Sequence, residues 1–139
     1  MEDPSAAKRE SLLLDEGALS LGVPFRSGVL GSSLTTIAVG GPVTLVEPAD
    51  REALTKVCRW ASQTHMELRV LGGGSNLLIP DTGCGGIVVK LGRSFGSWKR
   101  EEKVLTVGGA FSLMRLSRIA AEAGLSGLEF AGGIPASCG

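Results

Sequence analysis

Two glycine-rich stretches hold the residue types that could grip an anion. The first is Gly72-Gly73-Gly74-Ser75-Asn76, directly after the apolar Leu71. Three successive glycines open backbone conformations that a side chain forbids, so consecutive N–H groups can point into one concavity. Ser75 and Asn76 add side-chain donors. A β-branched residue at Gly73 is expected to be poorly tolerated, for a loop that uses positive φ. The second stretch is Gly132-Gly133-Ile134-Pro135-Ala136-Ser137. Each composition also suits a plain tight turn.

Two common phosphate loops are excluded. A Walker loop needs a Gly-Lys pair, and the sequence contains none. A dinucleotide fingerprint needs a third glycine where Leu77 stands, and a helix where Leu77-Leu78-Ile79-Pro80 follows.

The flanking sequence must position these loops. Asp3 and Pro4 read as the start of a helix that stops near Gly17, or as a loosely ordered extension. Thr35–Val39 reads as a short strand ending in the Gly40-Gly41-Pro42 turn. Val43–Val46 is a β-branched run, Asp50 a helix cap, and Leu54, Val57, Cys58 and Ala61 recur at helical spacing. Leu68–Leu71 follows as a strand. This is a βαβ crossover, which predicts a parallel strand pair with the helix on one face and Cys58 in the core. Ile87–Leu91 and Val104–Val107 read as further strands. Ser112 caps a second helix with Leu113, Leu116, Ala120 and Ala123 on its apolar stripe, ended by Gly124. The remainder is an irregular, tightly turned segment.

Composition bounds the rest. At 139 residues the chain suits one domain. Fourteen basic and fourteen acidic residues leave no net charge, hence no electrostatic footprint for nucleic acid or an anionic membrane. Glycine accounts for 21 residues while tyrosine is absent, which favours tight backbone passages over a stacking surface. The three cysteines are irregularly spaced and form no CxxC, so neither a disulfide framework nor a metal site is expected, and a reducing, cytoplasmic setting fits. The start of the sequence lacks the basic and apolar regions of a secretory signal, and no stretch reads as a membrane span.

The loops and their surroundings together resemble the UDP-N-acetylenolpyruvoylglucosamine reductase (UDP-N-acetylmuramate dehydrogenase) family. The resemblance runs in order through Leu34–Pro42, Val70–Leu78, Asp81-Thr82-Gly83, Gly86–Val89, Val107–Ala110, Gly124–Phe130 and Gly132–Ser137. It implies an α+β fold of the vanillyl-alcohol oxidase and para-cresol methylhydroxylase type, with FAD between two subdomains. Residues 1–33 would be an N-terminal extension and residues 34–139 an FAD-binding domain, incomplete in its second subdomain. The family reduces its flavin with NADPH, and the flavin then reduces the enolpyruvyl ether of a UDP-sugar in peptidoglycan synthesis. Carried over by motif, Leu71, Gly72, Gly73, Gly74, Ser75 and Asn76 would cradle the FAD pyrophosphate. Ile134, Pro135, Ala136 and Ser137 would approach the flavin from the second subdomain, with Gly127 and Glu129 shaping the same wall.

Ala38 and Ala136 depart from the family pattern, where a basic residue and a glycine are usual, and Cys138 replaces an aliphatic residue. At Ala136 the departure matters if a positive φ is required. The family's catalytic arginine beside a tyrosine, its serine proton donor and its glutamate have no counterpart among these residues, so no catalytic residue is assigned. His65 follows a helix end in a polar setting and suits a solvated position or a dipole contact there. Two readings follow: the FAD-binding portion of a reductase, inactive by itself, or a flavin-binding or interaction module without activity. Another FAD oxidase of the same fold is a third, against which Leu125–Ser137 argues.

Overall fold

The computed structural model describes residues 4–139. Helix α1 (Pro4–Leu21) runs through Gly17 and ends at Gly22, which takes the left-handed φ of +62°. The stop expected at Gly17 is therefore displaced by more than a turn, and the Asp3 cap lies outside the described residues. Gly17 serves packing instead of termination. A Cβ there would stand 2.6 Å from the Trp60 indole. Leu14 of the same helix is buried with Val23, Val57 and Ala61, so this segment is docked onto the body of the protein.

Strand β1 (Phe25–Leu30) pairs antiparallel with β2 (Pro42–Val46), from Phe25↔Val46 to Leu30↔Pro42, with a bulge between Arg26 and Val29. Gly28 sits in that bulge at φ +73°. Strand β1, which lies within residues 1–33, is thus part of the four-stranded sheet. The strand expected over Thr35–Val39 is a turn, and Ala38 has φ 57°. Tertiary hydrogen bonds override its β-branched composition. Gly31 N–H donates to the Gly41 carbonyl (2.9 Å), closing the loop, and Gly41 N–H donates to Pro80 (2.8 Å).

Helix α2 (Arg51–Thr64) begins as its sequence dictates, with the Asp50 carboxylate accepting from Ala53 N–H at 2.8 Å. Val57 and Ala61 are its buried residues, while Cys58 is exposed, contrary to expectation. The helix docks through a narrow stripe that also takes in Leu54 and Trp60, and Cys58 falls to one side of it. Strand β3 (Leu68–Leu71) runs parallel to β2 but not beside it. Strand β4 (Ile87–Lys90) enters between them, giving the order β1-β2-β4-β3. The expected adjacent pair is corrected on simple grounds. Ile87, Val88 and Val89 are buried on both faces and demand the centre, whereas Arg69 and Val70 are exposed and suit the edge.

Alternation along β4 divides the core. Ile87 and Val89 pack under the helices with Val46 and Val57, while Val88 packs on the opposite face with Val43, Leu45, Leu71 and Ile79. That second face is covered by loops.

The second unit begins with the hairpin of β5 (Trp98–Glu101) and β6 (Val104–Val107), turned through Glu102 at φ 52°. Helix α3 (Leu113–Glu122) follows, its first turn capped by the Ser112 hydroxyl, which accepts from Arg115 N–H at 3.3 Å. Leu116, Ser117 and Ala120 are buried, and Gly124 ends the helix at φ +69°. After a 3-10 turn over Glu129–Gly133 the chain comes back along its own path. Leu113 N–H donates to Ala136, Cys138 N–H to Phe111 and Gly139 N–H to Gly109, each at 2.9 Å. No helix among the described residues is long and apolar enough to cross a membrane.

Candidate functional site

The glycine loop leaves the C-terminal end of β3 and is held from behind. Gly74 adopts φ +68°, its carbonyl accepts from Thr36 N–H at 2.9 Å, and a Cβ at this position would overlap the Leu34 carbonyl. Gly73, by contrast, has no positive φ, and a Cβ there would make an ordinary 3.7 Å contact with the Pro135 carbonyl. The conformational demand expected at Gly73 falls one residue later, because the loop turns where it meets Leu34.

The two glycine-rich stretches, 60 residues apart, meet. The Ser75 hydroxyl donates to the Pro135 carbonyl at 2.5 Å. A Cβ at Gly72 would stand 3.0 Å from Ser137 Oγ, so the second loop lies directly against the first. Between them is a cavity of about 260 Å³, lined by Leu71 through Leu77 together with Ala136, Ser137 and Gly139. A second cavity of about 180 Å³ shares Leu71, Gly72, Gly73 and Ser137 and extends to Lys90, Leu91, Gly109 and Ala110. Lys90 was not singled out by sequence. The signal available was its place as the first charged residue after a buried Ile-Val-Val run.

The cavity suits a bound anion. Among the described residues, the N–H groups of Gly72, Gly73, Gly74, Ser75 and Asn76 donate no hydrogen bond within the protein. Unpaired consecutive N–H groups beside a concavity lined by no Asp or Glu side chain form an anion nest. The diphosphate of FAD fits this donor set. Ala136 is accommodated without strain, since it is not among the residues at positive φ.

Not every expected residue joins the cradle. Glu129 lines a separate cavity of about 230 Å³ beside α3, and its carboxylate accepts from Gly127 N–H at 2.8 Å. These two residues fix the turn before the second loop. Ile134 is 40% exposed, and Pro135 contributes its carbonyl rather than cavity surface. Cys138 is partly buried, and that burial pushes its thiol above the usual range. His65 caps α2 in the left-handed conformation, at φ 55°, before β3, whereas the glycine loop follows that strand.

The chain is similar to known proteins. Residues 42–139 match the family model described as FAD binding domain. The UDP-N-acetylenolpyruvoylglucosamine reductase of Anoxybacillus flavithermus is 43% identical over 109 residues, which is 78% of this chain and 36% of that protein. The UDP-N-acetylenolpyruvoylglucosamine reductase 2 of Symbiobacterium thermophilum is 35% identical over 137 residues, 98% of this chain and 42% of that protein. The chain therefore spans well under half the length of these curated relatives. Among solved structures, the UDP-N-acetylenolpyruvylglucosamine reductase of Thermus caldophilus superposes with a TM-score of 0.66 at 39% identity, over 84% of this chain and 40% of that one. A solvent-stable cholesterol oxidase superposes with a TM-score of 0.54 at 17% identity, over 74% of this chain and 21% of that one, a likeness of fold alone. The α+β fold is that of the vanillyl-alcohol oxidase type. The chain belongs to the FAD binding domain family and is similar to the FAD-binding portion of the UDP-N-acetylenolpyruvoylglucosamine reductases.

Proposed function

We propose that this chain supplies the FAD-binding part of a UDP-N-acetylenolpyruvoylglucosamine reductase acting in peptidoglycan synthesis in the cytoplasm. The observation that carries the reading is the convergence of two distant glycine-rich loops, joined by Ser75 and Pro135, on a cavity where the N–H groups of Gly72 through Asn76 have no partner among the described residues. When bound, FAD supplies the hydride relay from NADPH to the enolpyruvyl ether of the UDP-sugar, which becomes a lactyl ether.

The residues of this chain bind and orient. Gly72 through Asn76 present N–H donors to the diphosphate, and Leu71 anchors the loop in the core. Ile134 through Ser137 form the second wall, kept in place by Phe111 and Gly109 through the backbone of Cys138 and Gly139. Gly127 and Glu129 fix the turn that delivers that wall. The proposed unit includes β1 as well as residues 34–139, because β1 forms the far edge of the sheet whose other edge, β3, carries the glycine loop. No proton-transfer role falls to any side chain in this set.

The test is the visible absorbance of the purified chain after incubation with FAD and desalting. Retained flavin at near one equivalent is the expected result. Complete loss of flavin would overturn the reading that these loops suffice to hold it.

A further inference from the structure

A diphosphate brings two negative charges to the cradle, and backbone N–H groups answer them only as dipoles. The two joined cavities are lined by one ionisable side chain, Lys90, and by no Asp or Glu. Lys90 is the last residue of β4 and stands opposite Leu71 in register. Ile87 and Val89 face the helices while Val88 faces the other way with Leu71, so alternation places Lys90 on the Leu71 face, where the glycine loop lies.

Lys90 is half-buried, and among the described residues it makes no ion pair. Arg69 on the adjoining strand, in register with Val88, differs. Arg69 pairs with Glu67 at 2.6 Å and donates to the Gly85 carbonyl at 2.7 Å. A lysine whose stem is half-buried beside the cavity, with no ion-pair partner for its ammonium, is placed to answer an anion in the adjoining cavity. We infer that Lys90 sets its ammonium against the diphosphate of the bound dinucleotide and supplies the charge in its recognition. The inference rests on the reading of the cradle as an FAD site.

The experiment is a titration of the full chain with FAD, followed by flavin fluorescence, at low and high NaCl. It compares the parent with Lys90→Met and Lys90→Arg, with thermal melts of the three ligand-free proteins alongside. A charge-assisted contact predicts that Lys90→Met binds about tenfold or more weakly at low salt. Lys90→Arg should stay within about threefold of the parent, since the charge is retained. The parent's affinity should fall as salt rises, and the gap to Lys90→Met should narrow. Equal affinity of Lys90→Met and parent overturns the inference, as does a Lys90→Arg loss as large as that of Lys90→Met, which would mean packing and not charge. A parent affinity indifferent to salt overturns it without recourse to any variant. A parent that binds no FAD overturns the cradle reading itself, which a parent that binds while Lys90→Met matches it does not.

Discussion

Gly74 turns against the main chain of Leu34 so closely that no side chain fits between them, and its left-handed φ of +68° is where an L-residue is strained in any case. Gly74→Ala combines both penalties, so a loss of about 2 kcal/mol or more is expected. Gly73→Ala, with an open site and no positive φ, should leave the melting temperature within a degree or two of the parent. Thermal melts with FAD titrations check the pair. Equal behaviour of the two variants would mean that the Leu34 contact does not shape the loop.

Ser75 carries the side-chain hydrogen bond between the loops, to Pro135. Ser75→Ala should lower FAD affinity about five- to tenfold, because one hydrogen bond of about 1 kcal/mol no longer holds the second wall. The fold of the ligand-free chain should be little changed, since the bond is exposed and ties loops rather than core elements. A melting temperature that falls while affinity holds would reverse this assignment.

Local signals were legible in the sequence, and pairings between distant segments were not. Asp50 and Ser112 cap their helices as their types and spacing require, because a cap is decided within four residues. The meeting of Gly72–Asn76 with Ile134–Ser137 was implied by family resemblance, since no local rule joins loops 60 residues apart. The order of β3 and β4 follows from which strand can be buried on both faces, a comparison between segments. Trp98-Lys99-Arg100-Glu101 forms a strand only because β6 offers it a partner. Which of three glycines turns left-handed was fixed by Leu34, a residue 40 positions away. Lys90 went unremarked for the same reason. Its significance depends on the cavity beside it, not on its neighbours in sequence.

Ala38 is a non-glycine residue held at φ 57° in the turn that backs the cradle. Glycine avoids the left-handed penalty of about 1–2 kcal/mol, and its greater freedom in the unfolded chain returns part of that. Ala38→Gly should therefore stabilise the chain by roughly 0.5–1 kcal/mol, read as a rise in melting temperature of a few degrees. A fall would mean that the Ala38 methyl makes a contact worth more than the strain.

The cysteines should separate by reactivity. Cys58 is exposed on α2, whereas the Cys138 thiol is raised above its usual range by burial. A raised thiol stays protonated, and so unreactive, at pH values where an ordinary one has begun to ionise. Timed alkylation with peptide mapping should show Cys58 labelled first at neutral pH, and Cys138 gaining rate as the pH climbs past the ordinary thiol range. Equal rates at neutral pH would contradict the burial of Cys138.

Gly17→Ala sets two effects of opposite sign against each other. In an exposed helix interior the substitution stabilises by roughly 1 kcal/mol. Here the new methyl would lie 2.6 Å from the Trp60 ring and 3.2 Å from Phe25, a pair already in edge-to-face contact at 5.3 Å between centroids. Overpacking of that kind costs about 1–3 kcal/mol, so the net change should be destabilising. The prediction bears on more than one residue, because it holds only if α1 is docked through Gly17 onto α2 and β1. A helix detached from the sheet would instead be stabilised by the alanine. Thermal melts of Gly17→Ala, with Trp60 fluorescence as a local reporter, decide between a docked helix and an appended one by the sign of the shift.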